Sequence, residues 1–357
     1  MSPLDWGLGH TTRCIPLIRE LLQLGCQVII ACNSIQKELL NHEFSDRVSY
    51  THLAGYGIRY GKNRRSTFVR LALQSFKILT KIKQERGWLR GFLEQKQVDF
   101  IISDNRFGLY AAGVPSVFIT HQLQIKTGLG RWADGLTRRW NYLRLQQFSM
   151  CWVPDVAGSP SLSGELSHSS KMPTLPVRYI GPLSRLESCT TSGNGGLLII
   201  LSGPEPQRSI FEGLLLEQLT DYKGKVVLVR GLPQSTALPA VPTNCTVLNH
   251  APASLLHALI CAADLVISRC GYTTVMDLIA LRKKSIMVPT PGQAEQEYLA
   301  QHLQEQQWAY TLDQKGFVLS KALLEAERFE YKLPVIDMNG YKVAVRELVF
   351  PDTTLRK

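Results

Sequence analysis

Short, continuously apolar runs alternate along this chain with segments whose apolar residues recur at helical spacing. In the first half the runs are CQVIIACN, VDFIISD and VPSVFITHQ, and the helical segment IPLIRELLQLG precedes the first of them. Strands that are apolar on both faces are typical of a parallel sheet covered by helices, whereas a sheet with one wet face alternates apolar and polar residues. The pattern therefore predicts an α/β fold with doubly wound parallel sheets.

A polar segment rich in glycine and serine divides this pattern into two halves of similar size. It follows the short strand VRYIG, and strand–turn–helix segments restart after it. A chain of 357 residues has the length of two domains. We expect an N-terminal domain over residues 1–181, a linker over 182–195, a C-terminal domain over 196–333, and a tail over 334–357 suited to a helix that packs back towards the N-terminal domain.

The stretch DWGLGHTTR has the form of a turn that follows a buried strand and opens a helix. Gly7 and Gly9 would let the backbone turn tightly and approach a ligand, and free N–H groups at the helix start suit an anion. His10 stands where the turn meets the helix. A tight connection without a ligand is the alternative. A dehydrogenase would need a third glycine where Thr12 stands, followed by an acidic residue about 20 positions later, so a nicotinamide enzyme is disfavoured.

Only MSPL precedes this turn, although the preceding strand is normally central in a doubly wound sheet. A typical strand has about 5–6 residues, so these residues supply at most the end of one. Each buried backbone group left unpaired costs roughly 1–3 kcal/mol. Two explanations stay open. Translation begins upstream of Met1, which we favour, or the N-terminal half tolerates a gap and is weakened by it.

The segment DLVISRCGYTTVMDLIALRK carries the clearest nucleotide-binding pattern. A strand ends at Ser268, a glycine turn follows, and Thr273 and Thr274 stand at the start of the next helix. Hydroxyl and free N–H groups at such a position suit a diphosphate. Asp277 lies three residues further on, on about the same face, where a carboxylate could accept two ribose hydroxyls. The alternative for Asp277 is a solvated helix acid or a capping box.

Polar residues also follow two strands of the first half. Asp104, Asn105 and Arg106 come after one strand, and His121 and Gln122 come after the next. The carboxyl ends of parallel strands face the ligand crevice in such folds. Together with His10, the group has two histidines and an aspartate at three strand ends. This arrangement indicates a reaction centre rather than isolated structural residues.

These motifs together resemble the MurG-like family of GT-B glycosyltransferases, which use UDP-N-acetylglucosamine. SRCGYTTVMD is similar to the family's donor motif, and PTPGQAEQEYLA to the following loop that contacts the donor sugar. GLGHTTR is similar to its N-terminal glycine loop, and THQL to its acceptor-side His-Glu segment. The resemblance covers nearly the whole chain and is loose between residues 40 and 95. It implies two Rossmann-like domains that face each other across a cleft.

The resemblance implies a role for each motif residue. Asp277 would bind the ribose, Thr273 and Thr274 the phosphates, and Gln296 or Glu295 the sugar hydroxyls, while SGPEPQR forms the other phosphate-side loop. The donor-binding residues expected are Ser202, Gly203, Ser268, Arg269, Gly271, Thr273, Thr274, Asp277, Glu295 and Gln296. The acceptor-side residues expected are Gly7, Gly9, Arg106, His121 and Gln122, with His10 or Asp104 as the catalytic base.

The expected reaction moves N-acetylglucosamine or a related hexose from UDP to a hydroxyl acceptor, without a cofactor. No DxD-like motif follows a strand, and helix N-termini can stabilise the leaving diphosphate, so we expect no metal. The glycine loop is shorter than in MurG, which favours a different acceptor. Cys270, Tyr272 and Asp277 replace commoner small residues and Glu, which leaves the donor sugar less fixed than UDP. A UDP-sugar 2-epimerase-like enzyme, which would need several cleft carboxylates, and an inactive nucleotide-sugar-binding protein remain alternatives.

All the excess positive charge lies in the first half of the chain. Residues 1–150 hold 21 Lys and Arg against 10 Asp and Glu, whereas residues 151–357 hold 19 of each. Two basic segments carry interleaved apolar side chains. They are residues 62–90, with Leu71, Phe76, Leu79 and Ile82, and residues 131–144, with two Trp. Such segments suit an anionic membrane surface, as a lipid-linked acceptor implied by the resemblance would require. An ordinary amphipathic helix is the alternative, and no recognised nucleic-acid module is present.

Cysteine usage and hydropathy indicate the compartment. None of the eight cysteines forms a CxxC pair and several lie in apolar runs, so we expect reduced core cysteines and no metal site. No run of 18 apolar residues and no signal-peptide pattern occurs. We expect a cytoplasmic protein that associates peripherally with the inner membrane face.

Overall fold

The structure, a computed structural model, describes residues 1–57, 64–189, 193 and 195–351, with the backbone alone for residues 64–76. It divides into two compact units. The first is drawn from residues 1–58, 71–183 and 336–357, and the second from 59–70 and 184–335. Three predicted segments include positions outside the described residues: the linker, the tail and the basic segment over residues 62–90. The side chains of Leu71 and Phe76 also lie outside the described part of the chain.

The first unit is an α/β layer structure in which every strand pair is parallel. Its main sheet runs in the spatial order β1 (Ser2–Pro3), β4 (Ile101–Asp104), β5 (Ser116–Ile119), β6 (Met150–Val153) and β7 (Val177–Tyr179), while β2 (Ile29–Cys32) pairs with β3 (Ser49–His52). Its helices are α1 (Leu8–Arg13), α2 (Ile15–Gln23), α3 (Ser34–Phe44), α4 (Arg64–Gln95), α5 (Arg131–Leu145) and the C-terminal α11 (Gly340–Val349). Helix α11 packs against α2.

Strand β1 has two residues, whereas its neighbours β2 and β4 have four each. Ser2 pairs with Ser103 of β4. On the other side, the Met1 carbonyl accepts a hydrogen bond from the Ala31 N–H (2.9 Å), and the Met1 ammonium donates to the Ile29 carbonyl (2.7 Å). The Ser2 hydroxyl also donates to the Ala31 carbonyl (2.6 Å), so Met1 and Ser2 together join β2 to the main sheet. A doubly wound sheet normally has a full-length strand at this position.

The second unit has a complete doubly wound sheet with parallel pairing throughout. Its spatial order is β10 (Cys245–Leu248), β9 (Val226–Val229), β8 (Leu197–Ile200), β11 (Leu265–Arg269), β12 (Ser285–Val288) and β13 (Tyr310–Thr311). Its helices are α6 (Gln207–Leu219), α7 (Ala253–Ala262), α8 (Tyr272–Ala280), α9 (Ala294–Glu305) and α10 (Leu319–Arg328). The chain order reverses between β8 and β11, which is where such sheets bind ligands.

The expectation that all the cysteines are reduced is wrong for one pair, because Cys189 and Cys261 form a disulfide across 72 residues of sequence. The six others are free, and five of those are buried. Cys189 belongs to the predicted linker, and no local pattern in that segment indicates that it lies beside α7. Among the described residues, none of the helices is both long enough and apolar enough to cross a membrane.

Candidate active site

The N-terminal candidate site lies at the carboxyl end of β4, beside the turn that leads from β1 into α1. Gly7 has φ +93° and caps α1, so this position needs glycine. Gly9 lies inside α1 and is not among the glycines with positive φ. Only the first of the two glycines therefore makes the turn, and the turn delivers His10 within one helical turn of the cap.

His10 forms a buried network with Asp104 and Arg13. Its Nδ1 atom lies 3.2 Å from Asp104 Oδ2, and Arg13 donates from Nε to the same oxygen over 2.9 Å and from its terminal nitrogen to the other oxygen. The Asp104 side chain is fully buried, whereas that of His10 keeps 17% of its surface exposed. A proton on Nδ1 directed at Asp104 leaves Nε2 as the basic atom of the ring.

At neutral pH Asp104 is ionised and His10 is uncharged. Burial raises the pKa of Asp104, but the charges of Arg13 and His10 outweigh burial and hold that pKa well below its ordinary value. Burial, and then the Arg13 charge, lower the pKa of His10, and Asp104 only partly offsets them. His10 is therefore a neutral imidazole beside a carboxylate, which is the form that a general base requires.

The other acceptor-side residues divide into two groups. His121 follows β5 and is buried, with Nδ1 3.4 Å from an Arg13 nitrogen, so it belongs to the same network; Gln122, beside it, is half-buried. Arg106 points elsewhere. Its guanidinium is fully buried, with Nε 3.3 Å from Glu85 Oε1 and a bond to the Ala54 carbonyl. The burial does not support the predicted acceptor contact for Arg106, because a guanidinium committed to the interior cannot reach a ligand.

The C-terminal candidate site lies at the switch point of the second sheet. Gly271 caps α8, and Thr273 and Thr274 are half-buried in its first turn. Asp277 follows one turn later and is buried, and Ser184 donates to its Oδ1 over 2.6 Å. Burial raises the pKa of Asp277, while Arg185 and the Ser184 hydroxyl act in the opposite direction.

Ser268 and Arg269, at the end of β11, are buried, and their side chains make hydrogen bonds inside the second unit. The Arg269 guanidinium lies 4.3 Å from the centre of the Phe211 ring and donates to the Gln207 carbonyl and to Gln314. Burial lowers the pKa of Arg269 to about 10. Arg269 therefore fixes the start of α6 against β11. The structure supports positioning of the donor loops rather than the predicted direct contact with the donor.

Two loops meet beside this switch point, and the sequence pattern missed the residue between them. The first loop follows β8 and contains half-buried Ser202 and Gly203, whose φ is +100°. The second loop follows β12 and contains Thr290. The two loops are close, because a Cβ atom added to Gly203 would lie 3.8 Å from Oγ1 of Thr290. That Oγ1 is buried, with no hydrogen-bond partner among the described residues. The backbone N–H of Thr290 donates to the side-chain oxygen of buried Gln296 over 2.9 Å.

Glu295 lies beside Gln296 and is half-buried in the first turn of α9. The side-chain oxygen of Gln296 is taken by the Thr290 N–H, and its nitrogen donates to Gln293. Gln296 therefore holds the loop after β12 in place. Thr290, which belongs to no recognised motif in PTPGQ, has the buried hydroxyl without a hydrogen-bond partner among the described residues. A buried hydroxyl without a partner could be recognised only once both loops were placed.

Sequence comparisons relate this chain to glycosyltransferases. Residues 243–334 match a family described as glycosyltransferase family 28 C-terminal domain. A UDP-N-acetylglucosamine–N-acetylmuramyl-(pentapeptide) pyrophosphoryl-undecaprenol N-acetylglucosamine transferase of Clostridium perfringens is 25% identical over 301 residues, which cover 80% of this chain and 76% of the relative. An uncharacterised glycosyltransferase of Methanosarcina acetivorans is 23% identical over 327 residues, which cover 84% and 81%.

Solved glycosyltransferase structures share the fold at low identity. The kitacinnamycin glycotransferase superposes with a TM-score of 0.63 at 15% identity, covering 98% of this chain and 93% of its own. Phytolacca americana UGT2, complexed with UDP-2fluoro-glucose and pterostilbene, superposes with a TM-score of 0.60 at 14% identity, covering 97% of this chain and 92% of its own. The spinosyn rhamnosyltransferase SpnG, complexed with thymidine diphosphate, superposes with a TM-score of 0.58 at 18% identity, covering 97% of this chain and 94% of its own.

Proposed function

Because the chain is a GT-B glycosyltransferase of the MurG-like kind, as its motifs predicted, we propose that it transfers a hexose from a UDP-sugar to a hydroxyl acceptor. N-acetylglucosamine is the sugar that we favour, since the Clostridium perfringens relative is named for that transfer. The observation that carries the proposal is the His10–Asp104 pair, a neutral imidazole held against a buried carboxylate.

In the proposed reaction His10 is the general base. The acceptor hydroxyl gives its proton to Nε2 of His10, the acceptor oxygen forms a bond to the anomeric carbon of the sugar, and the bond from that carbon to the UDP oxygen breaks. Asp104 holds Nδ1 and stabilises the imidazolium that forms, while Arg13 keeps Asp104 ionised. UDP takes the electron pair and leaves as a diphosphate.

The donor is proposed to bind at the switch point of the second unit, with Asp277 on the ribose. The diphosphate would face the N-terminus of α8, where N–H groups and the hydroxyls of Thr273 and Thr274 stabilise developing negative charge. These groups supply the stabilisation that a metal ion provides elsewhere, so we propose metal-independent transfer. Thr290 is added to the donor-binding residues, because its unpartnered hydroxyl adjoins Gly203.

The proposed acceptor is lipid-linked and is reached at a membrane surface. Helix α5 exposes large apolar side chains at positions 132, 136 and 143, and Trp132 is 79% exposed. Leu129, two residues before the helix, is exposed as well. Arg131 and Arg139 are exposed on the same helix. An exposed Trp among arginines suits the headgroup region of an anionic membrane, which supports peripheral association.

The experiment that tests the proposal measures UDP release from a set of UDP-sugars, with and without a lipid extract as the source of acceptor. Release that depends on the extract, retained when EDTA is present, supports metal-independent transfer. Sugar isomerisation without UDP release would indicate an epimerase, and binding without turnover would indicate a nucleotide-sugar-binding protein. Either of the last two results would overturn the proposed activity.

A further inference from the structure

The Cys189–Cys261 disulfide joins two parts of the second unit that are far apart in sequence. Cys189 lies in the segment that follows β7, and Cys261 lies in the last turn of α7. Cys189 is half-buried, whereas Cys261 is buried, so an incoming thiolate reaches the sulfur of Cys189 more readily. In the cytosol, where we expect this protein, disulfides are usually transient, catalytic or redox-sensing.

His257 lies one helical turn before Cys261 on α7 and contacts its sulfur. The Nε2 atom of His257 is 3.3 Å from Cys261 Sγ and 2.9 Å from the Glu187 carbonyl oxygen. A carbonyl oxygen can only accept a hydrogen bond, so Nε2 carries the proton. This N–H therefore lies beside the sulfur that would leave as a thiolate if Cys189 were attacked. A hydrogen-bond donor stabilises a thiolate and makes it a better leaving group.

Residues 184–189, here called the latch segment, run from the proposed ribose site to the disulfide. Ser184 donates to Asp277 Oδ1 over 2.6 Å, and its oxygen accepts from the Leu186 N–H over 3.1 Å. The other end of the segment is attached to α7 by the hydrogen bond from His257 and by the disulfide. The segment thus places a hydroxyl of the protein on the carboxylate that would hold the ribose.

The disulfide is the strongest of these attachments. A half-exposed hydrogen bond competes with water and stabilises a segment only modestly. The covalent bond keeps Cys189 beside α7 whenever such a hydrogen bond breaks, so Ser184 returns to Asp277 at high effective concentration. Without the covalent bond the segment would open more often, and Asp277 would be uncovered for a larger fraction of the time.

We propose that Cys189 and Cys261 form a thiol–disulfide exchange site that controls access to Asp277. The effect on donor binding rests on the proposed role of Asp277 in holding the ribose. In the disulfide form Ser184 covers the carboxylate, and UDP binds weakly. In the dithiol form the latch segment releases Asp277, and UDP binds more tightly.

The co-reactant is a thiol of the glutathione class. Its thiolate attacks Sγ of Cys189 and forms a mixed disulfide, while the bond to Cys261 breaks and leaves its electron pair on Cys261, beside the His257 N–H. A second thiolate attacks the sulfur of the first and releases Cys189 as a thiolate. Both cysteine thiolates then take up protons. Two thiols of the co-reactant are oxidised to one disulfide, and the protein disulfide is reduced to two thiols.

The test compares the oxidised and reduced forms of the full-length wild-type protein. Calorimetric titration should give a Kd for UDP that is lower in the reduced form by about threefold or more, because a larger fraction of the protein is competent to bind. The Leu186 amide should exchange its hydrogen faster in the reduced form. A reduction that merely loosened the fold would weaken UDP binding, so the direction of the change separates the two explanations.

Three variants assign the effect to named groups. Oxidised Ser184→Ala should bind UDP as tightly as the reduced wild-type protein and should show no further change on reduction. His257→Leu should slow the opening of the disulfide by glutathione by about threefold or more. Cys26→Ser, at a half-buried free cysteine of the first unit, is the control and should keep the wild-type response.

Equal UDP affinity and equal Leu186 exchange in the two redox forms would overturn the proposal. So would a disulfide that glutathione opens only after the protein has been unfolded. If neither form binds UDP, the proposed donor site fails, and with it the control of donor binding. In that case Leu186 exchange still decides whether the disulfide holds the latch segment.

Discussion

At the scale of single residues, Asp104 determines the chemistry of the N-terminal site. It is fully buried and ionised because Arg13 and His10 both contact it, and it fixes which ring nitrogen of His10 is basic. Removing the carboxylate would leave the Arg13 charge buried without its partner, and breaking a buried pair costs about 3–5 kcal/mol. We therefore expect Asp104 to serve both the stability of the protein and the proposed reaction, and His10, which is partly exposed, to serve the proposed reaction alone.

His10→Ala should lower turnover by about 10²–10⁴-fold if His10 is the general base, with nearly unchanged UDP affinity. The matched control is His52→Ala, which removes an exposed histidine of β3 in the same unit. Steady-state kinetics and UDP titration measure the two effects. Turnover within threefold of the wild-type rate in a folded His10→Ala protein would assign His10 a structural role.

The pH dependence of kcat/KM follows from the lowered pKa of His10. A base works when deprotonated, so activity should be flat above pH 7 and fall only below His10's ordinary pKa of about 6.5. Asp104→Asn removes the group that raises the pKa of His10, so the acid limb of the profile should move to still lower pH as the plateau falls. An acid limb that begins above pH 7 in the wild-type protein would contradict this assignment.

Asp277→Ala should weaken UDP binding at least tenfold, because each charge-assisted hydrogen bond to ribose is worth about 1.5–3 kcal/mol. Asp313→Ala, at an exposed acid of the same unit, is the matched control. Isothermal titration calorimetry with UDP gives both affinities. An unchanged affinity in folded Asp277→Ala protein would remove Asp277 from the donor site.

At the scale of helices and strands, the sequence predicted the architecture well because periodicity is a local property. VDFIISD and DLVISRCG are apolar runs that became β4 and β11, and the glycine turn before TTVMD became the cap of α8. The orientation of long side chains is not local. Arg106 and Arg269 follow strands as a ligand contact would, yet partners far along the chain, Glu85 and Gln314, hold them in the interior. Thr290 and the Cys189–Cys261 disulfide likewise depend on tertiary proximity.

The exposed face of α5 belongs to this scale, and flotation with anionic vesicles tests it. The double variant Trp132→Glu, Leu136→Glu should lose vesicle binding at low salt, because it adds negative charge where apolar side chains would insert. Leu324→Glu, at an exposed leucine of α10 in the second unit, is the control. Wild-type binding that fails at low salt, or that persists unchanged in high salt, would argue against electrostatic attraction.

At the scale of the whole molecule, the proposed reaction draws different groups from the two units. The first carries a base with a lowered pKa, and the second carries a helix N-terminus with a ribose-binding carboxylate proposed beside it. Acid–base groups without a donor site would give no transfer, and a donor site without the base would give binding alone. The central claim is that sugar transfer needs His10 in one unit and Asp277 in the other.

The most direct test of that claim is acceptor-dependent UDP release from UDP-N-acetylglucosamine, measured for the wild-type protein, His10→Ala and Asp277→Ala. The account predicts release for the wild-type protein with saturating donor and lipid extract. It predicts a loss of at least 100-fold for His10→Ala at the same donor KM, and a raised donor KM for Asp277→Ala. Wild-type rates in both variants, or no acceptor-dependent release from any UDP-sugar, would contradict it.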